Sequence, residues 1–221
     1  MKTAIYDILM SGRNPDEAFS DARFFARCIS HRAMERHGKL SGALGLDIRQ
    51  LGHLFSRYFP RIAESRSTGQ CTKVYLHNAA GGTFLCQCLG KANNASMRNE
   101  ETGDLVKLLL DHRAGVDHAT EWVAAILAVG CLGDDHLWQD LGLTNREDLS
   151  DIIKRHFPRL YFKNTGNMKW KKFFYKQLCD QAGVRLCRAP SCNVCHDYAQ
   201  CFGPEDASAW NLLGLPRAKN L

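Results

Sequence analysis

The sequence predicts a mainly α-helical domain that ends in a cysteine-rich loop. Three observations carry this prediction. Apolar residues recur at helical spacing through most of the chain, between well-formed capping signals. A segment with the same helix signals, from Leu-Gly-Leu to Phe-Pro-Arg, occurs twice. Four of the ten cysteines fall between Cys187 and Cys201.

The first helix signal is Asn14-Pro15-Asp16-Glu17: a capping Asn, Pro at the first helical position and acids in the first turn. Phe25, Cys28 and Ile29 follow at helical spacing, and Gly38 is a stop. A second helix is expected from Asp47, with Gln50 as its reciprocal cap, to just before Pro60. Asp104–Arg113 carries Leu105, Leu108 and Leu109, with Gly115 as its stop. Asp117 then caps a helix whose stripe is Ala119, Trp122, Val123, Ile126, Leu127 and Gly130. His136 and Trp138 are placed in a short helical turn, as capping and packing residues. Thr144 with Glu147 forms a further capping box, and that helix runs to Pro158. Asn167 is expected to cap a last long helix ending at Gly183. Trp170, Phe173, Phe174 and Leu178 share one face of it, and Lys169, Lys172 and Lys176 the other.

LGLDIRQLGHLFSRYFPRI (44–62) matches LGLTNREDLSDIIKRHFPRL (141–160), the second copy having one extra residue. The shared Phe-Pro-Arg favours internal duplication over convergence of common helix signals. Residues 65–99 break the pattern, being rich in Ser, Thr, Gly and Asn. Val74-Tyr75-Leu76 and Phe84-Leu85 suit a small hairpin; the composition suits disorder equally. The expected organisation is a helical domain over 1–183, with 65–99 as an irregular insertion or hairpin, followed by a cysteine-rich metal-cluster loop and tail over 184–221.

Composition narrows the function. The chain has 221 residues, 45% hydrophobic and 24% charged, ordinary for a globular protein. The most apolar stretch, Trp122–Leu132, is far shorter than the roughly 20 residues of a membrane span. MKTAIYDILMSGRNPDEAF does not read as a secretory signal, so a cytoplasmic location is expected. Cytoplasmic cysteines stay reduced and serve as small hydrophobes or metal ligands. Even spacing of ten cysteines would put about 0.7 in any 15-residue window, where Cys187–Cys201 holds four. Core packing does not explain that density; metal ligation does. Charge is uneven too, since residues 151–203 carry ten Lys or Arg against three Asp.

The spacing is C-x4-C-x2-C-x5-C over Cys187, Cys192, Cys195 and Cys201. The tight central pair aims two sulfurs at one centre, and the looser flanks suit a body larger than one ion. A single zinc usually takes two tight pairs, so the run reads as a cluster-binding loop of iron–sulfur type, with zinc as the alternative. Arg185, Arg188 and the lysine face suit an anionic cargo, an oxyanion such as molybdate, or an acidic partner. They suit a solvated face equally. His196 sits inside the run and is read as an exposed loop residue, with ligation a minor reading. Cys179 is read as a half-buried structural cysteine. Cys71, Cys86 and Cys88 form no second tight pair and are weak ligand candidates. No Ser-His-Asp or Cys-His hydrolytic arrangement and no phosphate-binding Gly loop is apparent in the sequence.

At these residues the sequence resembles the NifQ family. The resemblance rests on CRAPSCNVCHDYAQCFG (187–203), NMKWKKFFYKQLC (167–179), HLWQDLGL (136–143) and LLLDHR (108–113). It is dense from about 100 to 204, recognisable from about 15 to 62, and absent over 65–99. The resemblance implies a molybdenum–iron–sulfur cluster on Cys187, Cys192, Cys195 and Cys201. It implies donation of molybdenum to iron–molybdenum cofactor (FeMo-co) biosynthesis for nitrogenase, through the assembly proteins NifEN and NifH. A carrier rather than an enzyme is expected, with no membrane and no nucleic acid among its partners. A zinc-stabilised interaction or nucleic-acid-binding module and a simple electron carrier are the competing classes. Aromatics interleave with the lysines at 168–176, as nucleic-acid binders allow, but they share one helix face, as a core requires.

Overall fold

The computed structural model describes residues 2–35, 40, 42–61, 63–68, 71–77, 83–86, 100–183, 198–203 and 205. The fold is mainly helical. In chain order the helices are α1 (Lys2–Ser11), α2 (Phe19–Glu35), α3 (Ile48–Tyr58), α4 (Glu100–Asp111), α5 (His118–Cys131), α6 (Leu137–Asp140), α7 (Arg146–His156), α8 (Pro158–Lys163), α9 (Trp170–Gln181) and α10 (Tyr198–Phe202). Between α3 and α4 runs an antiparallel sheet of β1 (Ala63–Thr68), β2 (Cys71–His77) and β3 (Thr83–Cys86). The expected hairpin is its second half, with Val74 opposite Cys86 and Leu76 opposite Phe84. No described helix is long and apolar enough to cross a membrane.

The core centres on α5. The sequence shows one apolar stripe there, but the helix is buried nearly all round, from Ala119 to Cys131, as an interior helix must be. Phe25 of α2 packs on Tyr58 of α3 with ring centroids 4.8 Å apart, and on Trp122 of α5 at 6.3 Å. Cys28 is buried on α2 and Cys131 on α5, as small hydrophobes.

The capping chemistry of α3 is as expected. Asp47 accepts from the Arg49 and Gln50 amides, and Gln50 accepts from the Asp47 amide. Asp117 caps α5 through the Ala119 amide. Four starts differ from the sequence reading, the simplest being α4, which begins at Glu100 rather than Asp104. Asn14 does not cap α2, which begins at Phe19, and an unexpected α1 precedes it. The Asn14 side chain instead donates to the Arg57 carbonyl and its amide to the Tyr58 carbonyl, closing the end of α3. Asn145 rather than Thr144 caps α7, accepting from the Asp148 amide at 2.8 Å. The extra residue of the second copy is thus absorbed before the cap. Asn167 does not cap α9. Gly38 lies outside the described residues.

Two three-helix units follow one course, α1–α2–α3 and α4–α5–α7. In the first, Asn14 N–H donates to Tyr58 O at 2.8 Å; in the second, Ala114 N–H donates to His156 O at 2.9 Å. α3 ends on Phe59 with φ −134° and ψ 47°, and α7 on Phe157 with φ −132° and ψ 57°. The Leu-Gly-Leu turns place Gly45 at φ 68° and Gly142 at φ 71°. Each turn packs on the other unit's long helix. A Cβ at Gly45 would meet Val129 Cγ2 at 2.7 Å and Ala125 O at 2.8 Å on α5, and one at Gly142 would collide with His31 of α2.

A polar seam joins the units. Asp21, 5% exposed, lies beneath Arg155 (Nε–Oδ1 3.1 Å), His156 (Nε2–Oδ1 3.3 Å) and Tyr58 (Oη–Oδ2 3.4 Å). His156 Nδ1 meets Thr120 Oγ1 at 2.9 Å. The carboxylate only accepts, so Nε2–H donates to it, and the Thr120 hydroxyl, which can donate or accept, pairs with Nδ1. Arg57 bridges Glu17 of the first unit (2.8 Å) and Asp117 of the second (2.6 Å). The Arg57 bond holds the Asp117 carboxyl below the usual carboxylate range, against the opposing effect of burial.

Gly45→Ala is expected to destabilise by at least about 2 kcal/mol, since it adds left-handed strain to a collision with α5 backbone. Chemical denaturation measures it, and Gly52→Ala, which meets nothing within 4 Å, is the control expected to be tolerated. Asp117 stabilises the fold above its ordinary pKa of 3.8, and that contribution disappears as pH falls through the lower folded value. Arg57→Leu should therefore lower the melting temperature at pH 7, by an amount that shrinks towards pH 3.

Candidate metal centre

The site is built on the turn between α8 and α9. The Asn164 side chain clamps Met168 from both sides, accepting from its amide and donating to its carbonyl, each at 2.8 Å. Asn167 takes φ 53°, the left-handed conformation that Asn tolerates. Its two oxygens accept from Arg146, at 3.1 Å on the carbonyl and 2.9 Å on the side chain. It does not cap α9, which begins at Trp170 with Lys169 in the cap position, two residues further on. Arg146 also donates to Met168 O at 2.8 Å and pairs with Glu205. Trp170 Nε1 donates to Ser150 Oγ at 3.0 Å, tying the start of α9 to α7.

This turn holds α10. Lys169 N–H donates to the Cys201 carbonyl at 2.8 Å, and Lys169 Nζ donates to the Ala199 carbonyl at 3.3 Å. Phe202 lies over Gly166, where a Cβ would meet its ring at 3.2 Å. Cys201 and Phe202 are half-buried and pack against the helical core.

Lys169 departs from its expected place on a solvated lysine face: it is 8% exposed. Helical spacing puts it with Lys172 and Lys176, but it stands just before the first turn, where α10 covers it. Burial pushes its pKa down, opposed by the negative charge of Glu205 and by Cys201. Of the others, Lys172 is exposed and Lys176 pairs with Asp180 at 2.6 Å. Lys171 reaches the other way, to Gly133 O at 2.7 Å and to Asp140. His136 opens α6, its amide donating to Gln139 Oε1 at 3.2 Å. Burial lowers its pKa, Glu205 opposes that, and Lys169 and Lys171 add to it. The Trp138 indole N–H is buried with no acceptor among the described residues.

Of the expected ligands, Cys201 is placed on α10, while Cys187, Cys192 and Cys195 lie outside the described residues, as do His196, Arg185, Arg188 and Cys88. Cys71 opens β2 and Cys86 closes β3. Cys179 is half-buried, as expected. Among the described residues no three His, Cys, Asp or Glu side chains converge on a metal position. Sequence reasoning missed Arg146 and the role of Lys169. Their partners are 21 to 59 residues away in the chain, beyond any local pattern.

The NifQ family model matches residues 24–203. The chain belongs to the NifQ family. Among similar proteins, NifQ of Azotobacter vinelandii is 43% identical over 163 residues, covering 73% of this chain and 78% of its own. A NifQ homolog of Sinorhizobium fredii is 34% identical over 174 residues, covering 73% and 76%. NifQ of Rhodobacter capsulatus is 46% identical over 101 residues, covering 45% and 56%. No solved structure matches. The NifQ match includes the α8–α9 turn, Lys169, Arg146 and all four cysteines of the run.

Burial raises the Cys131 thiol to about 12 and pushes Cys28 up further, so neither is a thiolate near neutrality. In the native protein both should resist iodoacetamide at pH 8 and react only on unfolding, read by mass spectrometry of labelled peptides. Native labelling of Cys28 at the rate of a free thiol would contradict its place in the core.

Proposed function

We propose that this NifQ-family chain carries molybdenum on an iron–sulfur-based cluster held by Cys187, Cys192, Cys195 and Cys201, and donates it to FeMo-co biosynthesis for nitrogenase. The C-x4-C-x2-C-x5-C run, inside the family-matched residues, carries this reading. Four thiolates are soft donors suited to iron, and sulfide-bridged iron suits a softened molybdenum centre. The described surroundings fit an anionic cluster. Lys169 is held 8% exposed against α10, its amide on the Cys201 carbonyl, and its positive charge there suits an anionic group nearby.

Delivery rather than turnover is the proposed role. The Thr120–His156–Asp21 line resembles a hydrolytic relay, but each member is only 5% exposed, so no substrate reaches it. The proposed recipients are the assembly proteins NifEN and NifH, and the proposed setting is the cytoplasm. We also infer that the two three-helix units arose by duplication, supported by their matched carbonyl closures and Phe-Pro ends.

Protein purified without oxygen is expected to be brown and to contain iron, sulfide and molybdenum without stoichiometric zinc. Cys192→Ala or Cys195→Ala should remove most bound iron and molybdenum and leave circular dichroism helical, because the helices have their own caps and core. A colourless, zinc-loaded protein would instead identify a zinc-stabilised interaction module. Global unfolding of the variants would make the centre structural.

A further inference from the structure

Of the four cysteines of the run, Cys201 lies among the described residues, and the structure shows how it is anchored. α10 is only five residues long, too short to hold its position by its own hydrogen bonds. Its place is set from outside. Lys169 grips it at two points, the amide on Cys201 O and the ammonium on Ala199 O. Arg146 grips it beyond the cysteine through Glu205 and is itself fixed on the Asn167 and Met168 carbonyls. The turn that carries Lys169 is locked by Asn164.

We propose that Lys169, supported by the Arg146–Glu205 pair, is a positioning residue that pins Cys201 to the helical body and makes it a fixed ligand of the cluster. This rests on the cluster reading above. A cation and a firm backbone at one ligand serve a donor in a definite way. The cluster is tied to the helical body through Cys201. The ammonium also puts a positive charge within electrostatic reach of Cys201, and charges and hydrogen bonds near cluster sulfurs set its electronic properties.

Lys169→Met tests this with little disturbance. Met matches the length of the buried stem, and Ala199 O keeps a donor because it also accepts from Gly203 N–H at 2.8 Å. Three quantities are measured on the full chain. They are amide exchange of residues 198–203 in metal-free protein, iron release from loaded protein to a chelator, and the electron paramagnetic resonance spectrum of the cluster. Loss of one charge-assisted hydrogen bond should speed exchange and iron release about tenfold each. The resonance spectrum should change while the melting temperature of the helical body holds. Glu205→Gln, which leaves the body untouched, should shift exchange and release in the same direction by less. Unchanged exchange and unchanged iron release in Lys169→Met overturn the proposal. So does a fall in body stability that accounts for the faster release, since Lys169 then serves the fold and not the ligand. Wild-type protein that loads no iron or sulfide sinks the cluster reading instead, and the exchange of 198–203 in metal-free protein still judges the anchor.

Discussion

The reciprocal seating of two glycine turns governs how the helices assemble. Gly45 sits against the backbone of α5, and Gly142 against α2. Each turn lets its unit approach the other's long helix with no side chain between them. Both glycines have positive φ, so the same residue provides the bend and the clearance. The flanking leucines, Leu44, Leu46, Leu141 and Leu143, are buried and convert that approach into apolar contact. α5 can be buried nearly all round because elements from both units close over it.

The close approach brings charged helix ends into the interior, and the seam around Asp21 is how the fold accommodates them. A carboxylate 5% exposed is costly unless paired and hydrogen-bonded. Arg155, His156 and Tyr58 together supply its partners. Arg57, at the equivalent end of α3, answers acids from both units. The seam and the glycine turns are therefore parts of one packing solution. Apolar contact drives the units together, and the seam fixes their relative register.

The site draws on that rigidity. Arg146 is the first residue of α7, whose cap and core positions are set by the second unit. From there it reaches the α8–α9 turn and Glu205, so the anchor on α10 inherits the order of the helical body. A cation buried at Lys169 is tolerable where a negative group faces it, and Glu205 and Cys201 both lower that cost. The proposed centre thus sits at the edge of the core, with one ligand on firm ground.

The sequence by itself determined the helical class, the caps at Asp47 and Asp117, and the cysteine run, and it allowed the hairpin of β2 and β3 without deciding it against disorder. Each of these is written in residues within a few positions of one another, where periodicity and capping operate. The same local logic misassigned Asn14, Thr144, Asn167 and Lys169. Asn14 closes the end of α3, 43 residues away, and Asn167 serves Arg146, 21 residues away. A side chain with good capping chemistry goes to whichever partner the packed chain brings nearest, and long-range contact decides that. Lys169 has the spacing of a solvated face, yet α10 covers it because the chain returns there after Gly183. Tertiary structure alone decided the reciprocal glycine packing, the polar seam and the anchoring of Cys201, since all three join residues that only the folded chain makes neighbours.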